Sequence, residues 1–173
     1  MSVSGLRLAT PADAPAIAAL HLASWRSAYR PFLPSRVLDD LDLTTHTAEW
    51  RRRVGVAEVQ IALAEEGGRL VGFCAHGPTG DPEAAVHPRI WEIKNLHVHP
   101  ERKGTGAGSR LFDAAVMHAR AITAGSVTLW VVEGNAVARA FYERKGMVTD
   151  GGRTVHTLGA DGTMPVVRYR LLL

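Results

Sequence analysis

The sequence predicts a mixed α/β, or α+β, fold: one sheet with helices packed around one core. Three observations predict it. Strand-like and helix-like segments interleave in the order strand, helices, hairpin, strand, helix, strand, helix, two strands. The chain has 173 residues, 46% hydrophobic and 21% charged, the profile of one compact domain spanning 1–173. No repeat, low-complexity tract or interior linker interrupts it.

In order, "SGLRLAT" reads as a short strand, and residues 9–29 form a helix with Pro11 and Asp13 near its start. Ala14, Ala18, Leu22, Trp25 and Tyr29 then share one helical face. Pro31 and Pro34 break that helix; "RPFLPSRVLDDL" begins a second and "TTHTAEWRRRV" carries a third. Residues 59–76 form a hairpin turning at Gly67 and Gly68, and Gly77 to Pro88 is a polar loop. "RIWEIKNLHV" is a strand, followed by a glycine-rich turn and a helix to about Ala121. "SVTLWVV" is a strand and "NAVARAFYERK" a helix, with Asn135 suited to cap its start and Gly146 to end it. "MVTDGGRTVHT" and "TMPVVRYRLLL" close the sheet as two strands.

Twenty basic against 17 acidic residues leave a net charge of +3, too little for a nucleic-acid surface. No apolar run approaches the ~20 residues of a membrane span. The N-terminal "MSVSGLRLAT" lacks the basic-then-apolar pattern of a signal peptide. The lone Cys74 excludes an internal disulfide and a thiolate metal cluster. The expectation is a cytoplasmic, soluble protein, monomeric or homodimeric, without nucleic-acid or membrane partners. His97 and His99 alternate along a strand with no further ligands, so no metal site is expected. Cys74 sits among apolar residues and reads as buried and inert; Trp25, Trp50, Trp91 and Trp130 read as core or pocket lining.

The informative stretch is "HPERKGTGAGSRLFDAAVMHAR", residues 99–120, where Gly104, Gly106 and Gly108 lead into an apolar-periodic helix. A Walker loop fails on spacing, because the lysine precedes the glycines. A dinucleotide fingerprint fails because Leu111 stands where its third glycine or alanine belongs. What remains is an anion-binding helix start or a plain turn.

"LHVHPERKGTGAGSRL" resembles the coenzyme A-binding motif of the Gcn5-related N-acetyltransferases (GNAT). Val98, Pro100, Gly104, Gly106, Gly108 and Leu111 match in order; Lys103 stands where the pattern prefers Arg or Gln, keeping the charge without the planar fork. A second block, Asn135, Ala138, Phe141, Tyr142 and Gly146, is similar to the family's late helix, with Met147 in the place of a Phe. The resemblance implies a mostly antiparallel sheet of six to seven strands flanked by about four helices. It also implies acetyl-CoA as cofactor, held by Leu96, His97 and Val98 along the pantetheine, by Lys103, Gly104, Thr105, Gly106, Ala107, Gly108 and Ser109 at the pyrophosphate, and by Asn135, Ala138 and Tyr142. Tyr142 would be the general acid for the leaving thiolate, or else a core aromatic.

Glu92, six residues before Val98, occupies the position of the base in the family's histone-modifying members; His97 is the rival. Either could instead be structural, Glu92 by pairing with Lys94. Chemistry needs such a base, since an amine of pKa ~10.4 is neutral in roughly one molecule in 2,500 at pH 7. By resemblance the acceptor cleft involves Trp25, Tyr29, Phe32 and Leu33, with Glu92 at its reacting end, and the last hairpin near "LGADGTM". The function implied is direct acetyl transfer to a primary amine of a small molecule or a peptide; the alternatives are a CoA-binding protein without turnover and, more distantly, a nucleotide-binding protein.

Overall fold

The computed structural model describes residues 5–87, 89–158 and 161–173. Gly67 and Gly68 take φ of 57° and 74° and turn the chain between β2 (Gln60–Glu66) and β3 (Arg69–Pro78), which pair antiparallel. β1 (Gly5–Leu8) adds to the outer edge of β2. On its other side β3 pairs antiparallel with β4 (Ile90–Val98), and Lys94 is an extra residue in that register, a bulge between the Ile93 and Asn95 pairs. β5 (Ser126–Val132) runs parallel to β4; β7 (Gly162–Leu172) pairs antiparallel with β5, and β6 (Val148–Leu158) lies outside β7. Among the described residues the sheet therefore has seven strands in the order β1-β2-β3-β4-β5-β7-β6, with one parallel pair.

Among the described residues five α-helices accompany it: α1 (Ala14–Tyr29), α2 (Ser35–Asp39), α3 (Leu43–Val54), α4 (Ala107–Ala121) and α5 (Ala136–Arg144). Their ends follow local chemistry. Thr10 and Asp13 form a capping box ahead of α1, and Asp42 accepts the Thr45 N–H at 2.6 Å at the start of α3. Asn135 caps α5, and Gly146, at φ 82°, releases the chain from it. The expected polar loop from Gly77 is corrected at its start: β3 runs on through Pro78, and the remainder contains a 3-10 turn, Pro82–Ala85. Pro88 lies outside the described residues.

The alternation along β2 and β3 divides the core. Ala62, Ala64 and Cys74 face α4 and α5, packing with Leu111, Phe112, Ala115 and Leu129. Ile61, Leu63, Phe73 and Ala75 face α1 and α3, packing with Ile17, Leu20 and Trp50. Each large side chain removed from water contributes about 1.5–3 kcal/mol, so these two layers hold the sheet in place. A third group, Leu33, Leu38, Val132, Met164 and Val166, joins α2 to the end of β5 and to β7.

Candidate active site

β4 and β5 pair only where Ile90, Trp91 and Glu92 meet Ser126, Val127 and Thr128. Beyond that seam β4 stays bonded to β3 through Val98, while β5 follows β7 through Val132. The sheet is open between them, and the glycine loop stands at the mouth. His99 N–H donates to Val71 O at 2.8 Å, a 3-10 turn covers Pro100–Arg102, and Lys103 is extended. Gly104 and Gly106 follow at φ 81° and 87°, with Thr105 Oγ1 donating to Arg102 O at 2.9 Å.

Gly106 precedes the first turn of α4 with no side-chain cap and no acidic residue in that turn. The N–H groups of Ala107, Gly108 and Ser109 have no intrahelical acceptor, and the positive end of the helix points with them. A Cβ at Gly104 or Gly106 would meet nothing within 4 Å, so the outer face of the loop is clear of protein. An uncapped helix start, a clear glycine face and the cation of Lys103 fit a pyrophosphate. Gly108 differs: a Cβ there would stand 3.3 Å from Val98 Cγ2, so this glycine also permits close packing of α4 on β4.

On α5, Asn135 Oδ1 accepts the Ala138 N–H at 3.1 Å, which engages the side-chain oxygen in the cap and leaves its NH2 for other contacts. Tyr142 is half-buried, its ring centroid 5.3 Å from Phe141, 6.3 Å from Phe112 and 6.4 Å from Tyr169. Burial raises its phenol pKa well above the usual range, with Cys74 and Tyr29 adding to the effect, so it holds its proton at neutral pH. Arg139, on the same helix, donates instead to Tyr169 Oη and to Glu133 O.

His97 is half-buried on the α1 side, with Nδ1 3.0 Å from Ser24 Oγ and its ring 4.7 Å from His21. Burial, with a smaller contribution from Lys103, lowers its pKa to about 4, so the ring is neutral at pH 7. The sequence reading missed Ser24 and His21. Their signal was available: they are polar residues three apart in a helix otherwise apolar on that side. The Glu92 carboxylate takes the pairing offered as its structural role, Oε2 accepting from Lys94 Nζ at 3.2 Å and from Gly80 N–H at 3.3 Å.

A cleft of about 290 Å³ lies at the end of α1, lined by Trp25, Tyr29, Trp130, His156, Leu158 and Met164 among others. Trp25 and Tyr29, expected at the acceptor cleft, both line this space. Glu92 and Phe32 are not in this lining; Phe32 packs on Gly134, where an added Cβ would stand 2.7 Å from Cε1, and Leu33 is buried in the core. Of the last hairpin, Gly159 and Ala160 lie outside the described residues. A second space of about 530 Å³ shares Trp130 and His156 with the first and is bordered by Asp81, Glu83, Arg153 and Arg168. Among the described residues, no group of three His, Cys, Asp or Glu side chains could hold a metal, and no helix is long and apolar enough to cross a membrane. Cys74 is fully buried, which raises its thiol pKa.

The sequence pattern of the Acetyltransferase (GNAT) family matches residues 20–147. A probable N-acetyltransferase of Mycobacterium tuberculosis is 31% identical over 169 residues, covering 96% of this chain and 92% of that one. The fold matches a GCN5-related N-acetyltransferase of Rhodopseudomonas palustris with a TM-score of 0.75 at 23% identity, over 100% of this chain and 98% of that one. It also matches the putative acetyltransferase YncA of Salmonella typhimurium, solved with its cofactor acetyl-CoA, with a TM-score of 0.71 at 17% identity over 98% and 94%. A family pattern spanning most of the chain, laid over an open sheet with an uncapped glycine-led helix at its mouth, places this protein in the GNAT family of acetyltransferases, enzymes that move an acetyl group onto an amine.

Proposed function

We propose that this protein is an acetyl-CoA-dependent N-acetyltransferase acting directly on a primary amine of a small molecule or peptide, as a single cytoplasmic domain, monomeric or homodimeric. The observation that carries the reading is the gap between β4 and β5, with the uncapped start of α4 at its mouth and a protonated phenol beside it. Acetyl-CoA supplies the activated acetyl group. The first-turn N–H groups of α4, with Gly104, Thr105, Gly106 and Lys103, hold the pyrophosphate; Leu96, His97 and Val98 hold the pantetheine by their backbone, and Asn135 and Ala138 flank it.

In the transfer the amine forms its C–N bond as the thioester C–S bond breaks. Tyr142 gives its proton to the departing sulfur, and the proton of the amine passes to a base. Glu92 is that base, through water, by way of the carboxylate oxygen not engaged by Lys94 and Gly80. His97, neutral and oriented by Ser24, is the second candidate. The test is calorimetric titration with acetyl-CoA followed by thiol release with a panel of amines. Micromolar binding and amine-dependent release are expected; absence of acetyl-CoA binding would overturn the assignment.

A further inference from the structure

Resting on the transferase reading, we infer that the acceptor is a primary amine carried on a compact, uncharged, apolar or aromatic body, and that Trp130 sets the length of that body. The 290 Å³ cleft is at the small end of the ~300–1,000 Å³ range of small-molecule sites. Its lining is aromatic and aliphatic, with His156, Thr157, the Tyr29 hydroxyl and the indole N–H groups of Trp25 and Trp130 as its polar side-chain groups, and among the described residues it contains no carboxylate, lysine or arginine. Val132, the last residue of β5 at the gap, lines the cleft, and the Trp25 ring lies 4.4 Å from that of His21, itself 4.7 Å from His97, so the cleft borders the open seam between β4 and β5.

Charge selects against two acceptor classes. A polyamine or aminoglycoside needs carboxylates for its further ammonium groups. The carboxylates around the cleft are already paired: Asp81, Glu83 and Asp150 with Arg168 or Arg170 at 2.7 to 3.0 Å, Glu133 with Arg153 and Asp161 with Arg36. A second ammonium group would have to break one of these pairs. An amino acid would bring a carboxylate into a lining without a cation to meet it. A lone ammonium group, in contrast, is attracted by the faces of Trp25, Tyr29 and Trp130 and is then desolvated among them, which favours the neutral, nucleophilic form.

Trp130, with His156 beside it, stands between the two spaces. Its Nε1–H donates to the Asp81 carboxylate at 3.2 and 3.3 Å, the Arg168 guanidinium lies 5.5 Å from its ring, and the His156 ring is 6.4 Å away. Held in this way, the indole closes the far end of the small cleft. Its removal joins that cleft to the 530 Å³ space.

The experiment measures kcat/KM by thiol release for 2-phenylethylamine, 4-phenylbutylamine, spermidine, glycine and a tetrapeptide with a free N-terminus, in wild type, W130F and W130A, with acetyl-CoA affinity for each by calorimetry. In wild type, 2-phenylethylamine exceeds spermidine, glycine and the peptide by at least ~10-fold. It also exceeds 4-phenylbutylamine by at least ~10-fold, since a single methylene in a closed pocket discriminates by roughly 10- to 200-fold. W130F keeps the order, and W130A accepts 4-phenylbutylamine within a few-fold. Preference for spermidine, glycine or the peptide overturns the acceptor class, as does turnover with none of the amines, and unchanged length discrimination in a folded W130A overturns the partition. If W130A does not fold, the wild-type and W130F rankings still decide the class, and reversal of the length preference in W130F decides against the partition. Loss of acetyl-CoA binding in wild type would instead strike the transferase reading.

Discussion

Val98 Cγ2 lies 3.3 Å from where a Cβ on Gly108 would stand, so the last residue of β4 and the first turn of α4 meet closely enough that even a methyl group there would make Val98 give by a few tenths of an ångström. Two neighbouring glycines therefore serve different purposes. Gly108→Val is expected to cost about 1–3 kcal/mol by overpacking, a drop of roughly 2–12 °C in Tm for a chain of this size, and to weaken acetyl-CoA binding as well. Gly106→Ala meets no atoms but is forced to hold φ 87°, at a cost of about 1–2 kcal/mol. Scanning calorimetry and acetyl-CoA titration check both; full affinity in both variants would remove the loop from the cofactor site.

Tyr142→Phe keeps the ring packed among Phe112, Phe141 and Tyr169 and removes only the hydroxyl. Acetyl-CoA affinity is expected to hold while kcat falls by roughly 10- to 1,000-fold. Wild-type turnover in this variant would make the phenol a packing residue.

Glu92→Gln is expected to lower kcat/KM most at neutral pH, with the deficit shrinking as pH rises and more of the amine is already neutral. Tyr142→Phe should show no such recovery. A deficit in Glu92→Gln that is flat across pH moves the base to His97; in that case Ser24→Ala, which removes the 3.0 Å partner of Nδ1, lowers kcat and displaces the pH profile.

Three histidines are held neutral by burial: His76 and His97 with pKa values lowered to about 4, and His21 to about 2. The geometry agrees for two of them, since Trp50 Nε1–H donates to His21 Nδ1 and Trp91 Nε1–H to His76 Nδ1. As pH falls below the ordinary histidine value of ~6.5, the unfolded chain takes up protons that the folded chain refuses. Stability is thus complete above that pH and is lost as pH falls, toward about 4 for His76 and His97 and on toward about 2 for His21. The melting temperature is expected to fall by about 5 °C or more between pH 7 and pH 4.5. The carboxylates of Asp13 and Asp150 have lowered pKa values and contribute only to losses at still lower pH. A flat melting temperature over this interval would contradict the neutral burial of these rings.

Much of the fold was legible because its signals are local. The Gly67–Gly68 turn, the start of α4 after Gly106 and the Asn135 cap each depend on residues within four positions of one another. The Lys94 bulge and the position of β7 between β5 and β6 are set by partners far along the chain, and no local pattern announces them. The same holds in the site. The glycines and Tyr142 carry a recognisable spacing, whereas the Ser24–His97 contact spans 73 positions and the packing of Phe32 on Gly134 about a hundred. By resemblance Phe32 belongs to the loop that lines the acceptor cleft; the turn after α1 instead sets its half-buried ring against Gly134 and the cluster of Leu33, Leu38 and Val132.

The three-residue seam between β4 and β5 gives the sheet the mechanics of tongs. At the rivet, Arg168 and Arg170 of the β7 arm grip Asp81 and Glu83, which belong to the segment leading from β3 into β4, so the two arms are pinned across the joint by charge as well as by backbone. The jaws end at Val98 and Val132, and from Glu92 to Val98 the arm is roughly 20 Å long at ~3.3 Å per residue. On that lever, one degree of rotation at the rivet moves a tip by about 0.35 Å, so a substitution at Arg168 or Asp150 would be felt as a change of gape at the far end.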